Sequence, residues 1–259
     1  MNATNRPDPG HSAAPDSGAR RGFLGVAAAA VGGTMLASGA RLFDVQAATP
    51  GTGSAGADAK VRWGLLIDSD KCASGCTDCV TACHTENGLP TPTRPTDVQW
   101  IRKVELKQAN TGRSARLPVM CQHCADPPCV DVCPTGASFK RADGIVMVDR
   151  HTCIGCRYCV MACPYQARSF VHEDVTEQKP DIPRGKGTVE SCTLCVHRID
   201  LGQQNTACAE ACTKAGHNAI TFGNLNDPDS EITRRARAAA TTQLRADLRL
   251  NLGVRYQGL

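Results

Sequence analysis

The chain has 259 residues and a formal charge of +4, with sixteen cysteines but only 4% aromatic residues. So few large rings cannot fill an ordinary apolar core of this length, and cysteine chemistry must carry part of that task.

Residues 1–18 are rich in Pro, Ser, Gly, Asn and Asp and too polar to bury anything. Arg20-Arg21-Gly22-Phe23-Leu24-Gly25 then opens an uncharged stretch to Ala40, which reads as a twin-arginine export signal and so as a periplasmic address. A retained membrane anchor is the competing reading, because 19 uncharged residues approach a membrane span. Eleven of the 19 are Ala or Gly, however, so insertion would be weakly driven. Val45-Gln46-Ala47 offers a small-residue cleavage site, giving a signal over 1–47 and a mature chain of 212 residues with charge +3. This route exports proteins that fold and take up cofactors beforehand. Residues 48–60 read as a flexible linker; Gly51-Thr-Gly53-Ser-Ala-Gly56 spells G-x-G-x-x-G there, but no apolar strand precedes it to make a nucleotide loop. No second apolar segment of membrane length follows, so the mature chain is expected to reach a membrane only through partners.

Residues 61–225 read as one α+β domain. Strand-like runs cover 61–67, 98–106, 144–148, 167–171 and 219–225, each beside a cysteine group. Helical turns are expected at 76–83, 129–133, 159–163 and 207–212. Beyond Asn226-Asp227-Pro228-Asp229, Ser230 can cap a helix through about Arg249. Its arginines, Arg234, Arg235, Arg237, Arg245 and Arg249, form a solvated face or, alternatively, dock a partner, which makes 226–259 a C-terminal helix and docking tail.

The cysteines fall into four groups of four. The third, Cys153, Cys156, Cys159 and Cys163-Pro164, is C-x2-C-x2-C-x3-C-P, the run that holds a cubane iron–sulfur cluster in bacterial ferredoxins. Three close thiolates wrap one cube and the fourth serves a neighbouring one, so groups work in pairs. The second group, Cys121, Cys124, Cys129 and Cys133-Pro134, stretches the middle gap with Pro127-Pro128. The expected central unit therefore pairs Cys121, Cys124, Cys129 with Cys163, and Cys153, Cys156, Cys159 with Cys133. The first group (Cys72, Cys76, Cys79, Cys83) and the split fourth (Cys192, Cys195, Cys208, Cys212) form an outer unit as the flanks fold back: Cys72, Cys76, Cys79 with Cys212, and Cys192, Cys195, Cys208 with Cys83. Four [4Fe-4S] clusters follow, in two ferredoxin-like two-cluster units.

Zinc prefers two C-x2-C pairs rather than such triplets. Disulfides between cysteines two residues apart would be strained, and no C-x2-C-H marks a c-type haem. Each oxidised cubane with its thiolates adds about −2, leaving the loaded chain at roughly −5 and disfavouring nucleic acid. Lys71, Arg157 and Arg198 adjoin ligands and are candidates for tuning a cluster's potential. His84, His123, His197 and His217 are poor candidates for replacing a cysteine while all sixteen thiols remain.

With four groups in this order, the chain resembles the four-cluster ferredoxin-like electron-transfer subunits of membrane-linked respiratory enzymes. The resemblance rests on 121–137, ending Cys133-Pro134-Thr135-Gly136-Ala137, on 153–167 and on Cys192-Thr-Leu-Cys195-Val-His-Arg198. The leader, the gap in Cys72-Ala-Ser-Gly-Cys76, the Lys214-Ala-Gly-His217 insertion and residues 222–231 resemble more narrowly the periplasmic iron–sulfur subunits of Dsr-type, sulfite-reductase-associated membrane complexes. The resemblance implies a non-catalytic relay between a quinone-reactive integral membrane subunit and other redox subunits, a multihaem cytochrome c among them. The alternative is the same relay serving a molybdopterin-dependent reductase of the polysulfide, tetrathionate or thiosulfate type. Two departures from the wider family, the three-residue gap after Cys72 and Thr213 in place of Pro after Cys212, both fall in the outer unit.

Overall fold

A computed structural model describes residues 56–259 except 108, 111 and 113. The arginine pair, the export signal with its cleavage site and most of the linker lie outside the described residues. In chain order, β1 (Trp63–Asp68) and α1 (Asp78–Asn87) flank the loop of Cys72 and Cys76, and α1 carries Cys79 and Cys83. A hairpin of β2 (Ile101–Lys107) and β3 (Ser114–Met120) leads to the second group and α2 (Pro128–Asp131). The short pair β4 (Ser138–Lys140) and β5 (Val146–Val148) precedes the third group and α3 (Tyr158–Ala162). Then β6 (Ser169–Phe170) and β7 (Val189–Glu190) lead to Cys192, Cys195 and α4 (Val196–Asp200), and α5 (Ala207–Lys214) carries Cys208 and Cys212. The chain finishes with β8 (Ile220–Asn224), α6 (Glu231–Ala238), β9 (Thr241–Thr242), a 3-10 turn (Ala246–Leu248) and β10 (Val254–Gln257).

One sheet of order β8-β1-β10-β9 ties the two ends of the domain together. In β1 the run Leu65-Leu66-Ile67 is buried on both faces, as an interior strand should be. It pairs antiparallel with β8, Leu65 opposite Phe222, and parallel with β10, Leu65 opposite Val254. Trp63 and Phe222 stack with ring centroids 5.1 Å apart. α1 packs on α5 and α2 on α3, so first- and fourth-group helices meet, as do second- and third-group helices. Buried apolar side chains form two clusters that both incorporate cysteines: Cys79, Cys83, Cys208 and Cys212 in one, Cys121, Cys124, Cys129 and Cys159 in the other. The sparse aromatic content is thus offset by sulfur.

The C-terminal segment departs from the sequence reading. Ser230 does cap α6, its hydroxyl accepting from the Thr233 amide at 3.3 Å, but the helix stops at Ala238 rather than about Arg249. Only Ile232 and Thr233 of α6 are buried, so little packing holds the helix on, while Leu252, Val254 and Tyr256 bury fully when the chain extends beside β1. Burial of that strand outweighs the helix propensity of an Ala- and Arg-rich run. Far from trailing, the tail completes the domain.

Candidate metal centre

The covalent spacing of each group sets its local shape. Left-handed backbone at His123, Arg157, Leu194 and Cys195 curls the C-x2-C loops. At Gly155 φ is +71°, and a Cβ there would stand 2.2 Å from the Gly187 carbonyl oxygen, so only glycine fits between Cys153 and Cys156.

Packing then gathers sulfurs from different groups. Cys133 lines one cavity with Cys153, Cys156 and Cys159, and Cys83 lines another with Cys192, Cys195 and Cys208. Burial pushes the Cys124 thiol up to about 12, with Cys121, Cys129 and Cys163 adding to the rise. Cys79 is likewise pushed to about 12 by burial, then by Cys208, Cys72 and Cys212, against the opposing charge of Lys103. Cys76 is half-buried, its thiol 3.5 Å from an Asp78 carboxylate oxygen, and Cys76, Asp78 and His217 hold one donor atom each within 4.8 Å of one another.

The last cysteine of every group accepts a hydrogen bond from a group downstream: Cys133 from the Ser138 amide (3.3 Å), Cys163 from Ala167 (3.4 Å), Cys212 from Ala219 (3.3 Å), and Cys83 from the Asn87 side chain (3.5 Å). Such donors orient a sulfur and favour its anionic form.

All sixteen cysteines are free of disulfides. Soft sulfurs collected in fours suit iron–sulfur groups. Arg168 gives an independent test of fit. It is 5% exposed, and none of its three guanidinium nitrogens reaches a well-formed hydrogen bond; the groups within its reach are the Cys129 and Cys159 thiols. An uncompensated buried cation is costly, so anionic metal–sulfur groups at the neighbouring cysteines supply what the site lacks. The donor set and its surroundings fit.

Five of the other candidates near ligands are otherwise engaged. Lys71 pairs with Asp68 at 3.2 Å, Arg157 lies 3.9 Å from the Phe170 ring centroid, and Arg198 is held by Glu86 and Glu210. His123 is buried and its Nδ1 accepts from the Val146 amide at 3.0 Å, while burial lowers its pKa from 6.5 to about 3. Its proton therefore sits on Nε2, leaving that nitrogen no lone pair for a metal. His197 Nε2 is 2.7 Å from Glu86. Sequence reasoning passed over Arg168, although a charge inside the apolar run 167–171 was a readable signal. A separate groove of about 610 Å³, bordered by His84, Leu89, Val98, His172 and Arg184, contains no cysteine.

Among the described residues no helix is long and apolar enough to cross a membrane. Residues 114–224 match the family model described as a 4Fe-4S dicluster domain. The chain is 41% identical, over 77% of its length and 84% of the relative's, to the Hdr-like menaquinol oxidoreductase iron-sulfur subunit 1 of Archaeoglobus fulgidus. It is 40% identical to a tetrathionate reductase subunit of Salmonella typhimurium, over 66% of this chain and 61% of that one. It is 35% identical to the menaquinone reductase iron-sulfur cluster-binding subunit of Nitratidesulfovibrio vulgaris, over 67% and 79%. With four sulfur-lined groups on a frame of short strands and helices, the chain belongs to this ferredoxin-like 4Fe-4S family of iron–sulfur electron-transfer subunits of oxidoreductase complexes.

Proposed function

We propose that the protein is a periplasmic relay subunit of a Dsr-type sulfur-metabolism complex, with four [4Fe-4S] clusters held by the four crossed cysteine sets. Electrons would pass between a quinone-reactive integral membrane subunit and further redox subunits, including a multihaem cytochrome c. The observation that carries this reading is the exchange of sulfurs between groups: Cys133 beside the third-group triplet and Cys83 beside the fourth-group cysteines. A bound cubane stores and passes on a single electron. The chain's own residues would hold such a group through the cysteine sulfurs, exclude water from it, and orient those sulfurs with N–H donors from Ser138, Ala167, Ala219 and Asn87. Menaquinol and menaquinone in the names of two relatives support a quinone-linked partner; the twin-arginine motif supports export with cofactors already loaded. Tetrathionate reductase among the relatives keeps a molybdopterin partner as the second reading.

The test is anaerobic purification from membranes, with metal and labile-sulfide analysis and mass spectrometry of the co-purifying chains. About sixteen iron and sixteen sulfide per chain are expected, together with a multispan protein and a cytochrome c. Zinc in place of iron would overturn the cluster reading. A co-purifying molybdopterin subunit would replace the Dsr reading with the second one.

A further inference from the structure

Arg168 precedes β6, one residue from Ser169, which pairs with Glu190 across β6 and β7. The adjacent buried carboxylate of Glu190 is not its counter-ion. Glu190 is saturated by Arg184 at 3.0 Å and Trp100 Nε1 at 3.2 Å, with Arg150 a further 3.6 Å ion pair. What surrounds Arg168 instead is sulfur. The guanidinium is 5% exposed and interacts with Cys129, Cys121 and Cys159. The first two thiols each interact with Cys163, whereas Cys159 shares a cavity with Cys133, Cys153 and Cys156. One guanidinium therefore faces both central cysteine sets.

We propose that Arg168 is the shared counter-charge of the two central clusters and holds their reduction potentials up together. The proposal rests on the reading of the cysteines as cluster ligands. Reduction adds an electron, and hence one negative charge, to a centre; a fixed cation stabilises the reduced form of whichever central cluster holds it. Lowering both levels at once keeps the step between them small while setting the pair apart from the outer two. Lys71, Arg157 and Arg198 do not meet this need, being paired elsewhere.

Full-length holoprotein carrying Arg168→Lys or Arg168→Met, purified without air, tests this by iron and sulfide content and by redox titration followed with electron paramagnetic resonance. Arg168→Met should lower the reduced-to-oxidised ratio of both central clusters at least tenfold at a fixed ambient potential, roughly 59 mV for one electron, and leave the outer two unmoved. Arg168→Lys, which keeps the charge, should shift them less. Loss of iron from both central sites in Arg168→Met but not in Arg168→Lys would also support a shared charge. Full iron with unmoved potentials in Arg168→Met would overturn it, as would equal shifts in the two variants, which would assign the effect to shape. An iron-free wild type would instead fail the cluster reading itself, and the proposal with it.

Discussion

Arg198 grips Glu86 with two parallel hydrogen bonds, Nε to Oε1 and Nη2 to Oε2, each 2.6 Å long. Glu86 lies on α1 behind the first cysteine group, Arg198 on α4 behind the fourth, and Arg198 also reaches Glu210 on α5 at 2.9 Å. This bidentate clamp fastens the halves of the outer unit. Glu86→Gln should destabilise the protein by about 1.5–3 kcal/mol, the range for hydrogen bonds to charged groups, seen as earlier loss of cluster absorbance on heating. The Arg198 bond is also the main reason the Glu86 pKa falls to about 2 from 4.5. A depressed carboxylate contributes its stability above its unfolded pKa and loses it as pH falls toward the folded one. The gap between wild type and Glu86→Gln should therefore be widest above about pH 5 and narrow between 4.5 and 2. A gap that widened with acid would exclude the clamp.

The C-terminal strand supports the second cysteine group. The Gly253 amide donates to the Gln122 carbonyl at 2.8 Å, and the Ala125 amide donates to Leu250 and Asn251 at 3.0 Å. Fully buried Tyr256 donates to the Pro118 carbonyl and accepts from Gln122 Nε2, both at 3.2 Å. Ending the chain at Arg249 should cost iron in the central unit, not merely a partner contact. Tyr256→Phe should cost about 1 kcal/mol for its hydrogen bonds and Tyr256→Ala about 3–5 kcal/mol for the cavity. A truncated chain with full iron that only failed to bind partners would restore the docking-tail reading.

The role of that strand was not legible in the sequence, because it depends on which distant segment offers an unpaired edge. Thr241-Thr242 hinted at a change from helix to strand, but only β1 decides that residues 254–257 extend beside it. β3 was missed for a local reason: Arg116 and Pro118 interrupt its apolar pattern, and pairing with β2 overrides them. The runs 61–67 and 219–225 were readable as strands since buried neighbours are contiguous in each. The cysteine groups were readable because cluster geometry writes itself into covalent spacing. For Arg168 the odd charge in the apolar run 167–171 is legible but its role is not, since the sequence does not reveal which two sulfur sets surround it.

Two glycines with nearly equal φ separate strain from crowding. Gly136 has φ +70° with nothing within 4 Å of where a Cβ would stand, while Gly155 has φ +71° and a backbone oxygen 2.2 Å away. Gly136→Ala should cost about 1 kcal/mol for the left-handed backbone alone. Gly155→Ala must also move the 185–187 turn or the Cys153–Cys156 loop, so it should lower iron occupancy at the third group. Equal behaviour of the two variants in iron analysis and thermal melts would mean the contact with Gly187 is unimportant.

Cys133 belongs by sequence to the second group but lines the cavity of the third. Its sulfur accepts from the Ser138 amide at 3.3 Å and lies 3.7 Å from Thr135 Oγ1. These donors outweigh burial and bring the thiol below its ordinary pKa, in contrast to the raised values of buried Cys121 and Cys124. A sulfur so prepared is suited to act as the fourth ligand of the set formed by Cys153, Cys156 and Cys159. Cys133→Ala should reduce iron by up to about four per chain and remove or alter that one magnetic signal. The centre assigned to Cys121, Cys124, Cys129 and Cys163 should persist. Cys163→Ala should give the reciprocal pattern, so the pair of variants identifies each signal without prior assignment. If each variant instead lost the centre of its own sequence group, the crossed pairing would be wrong and each run of cysteines would hold its own metal.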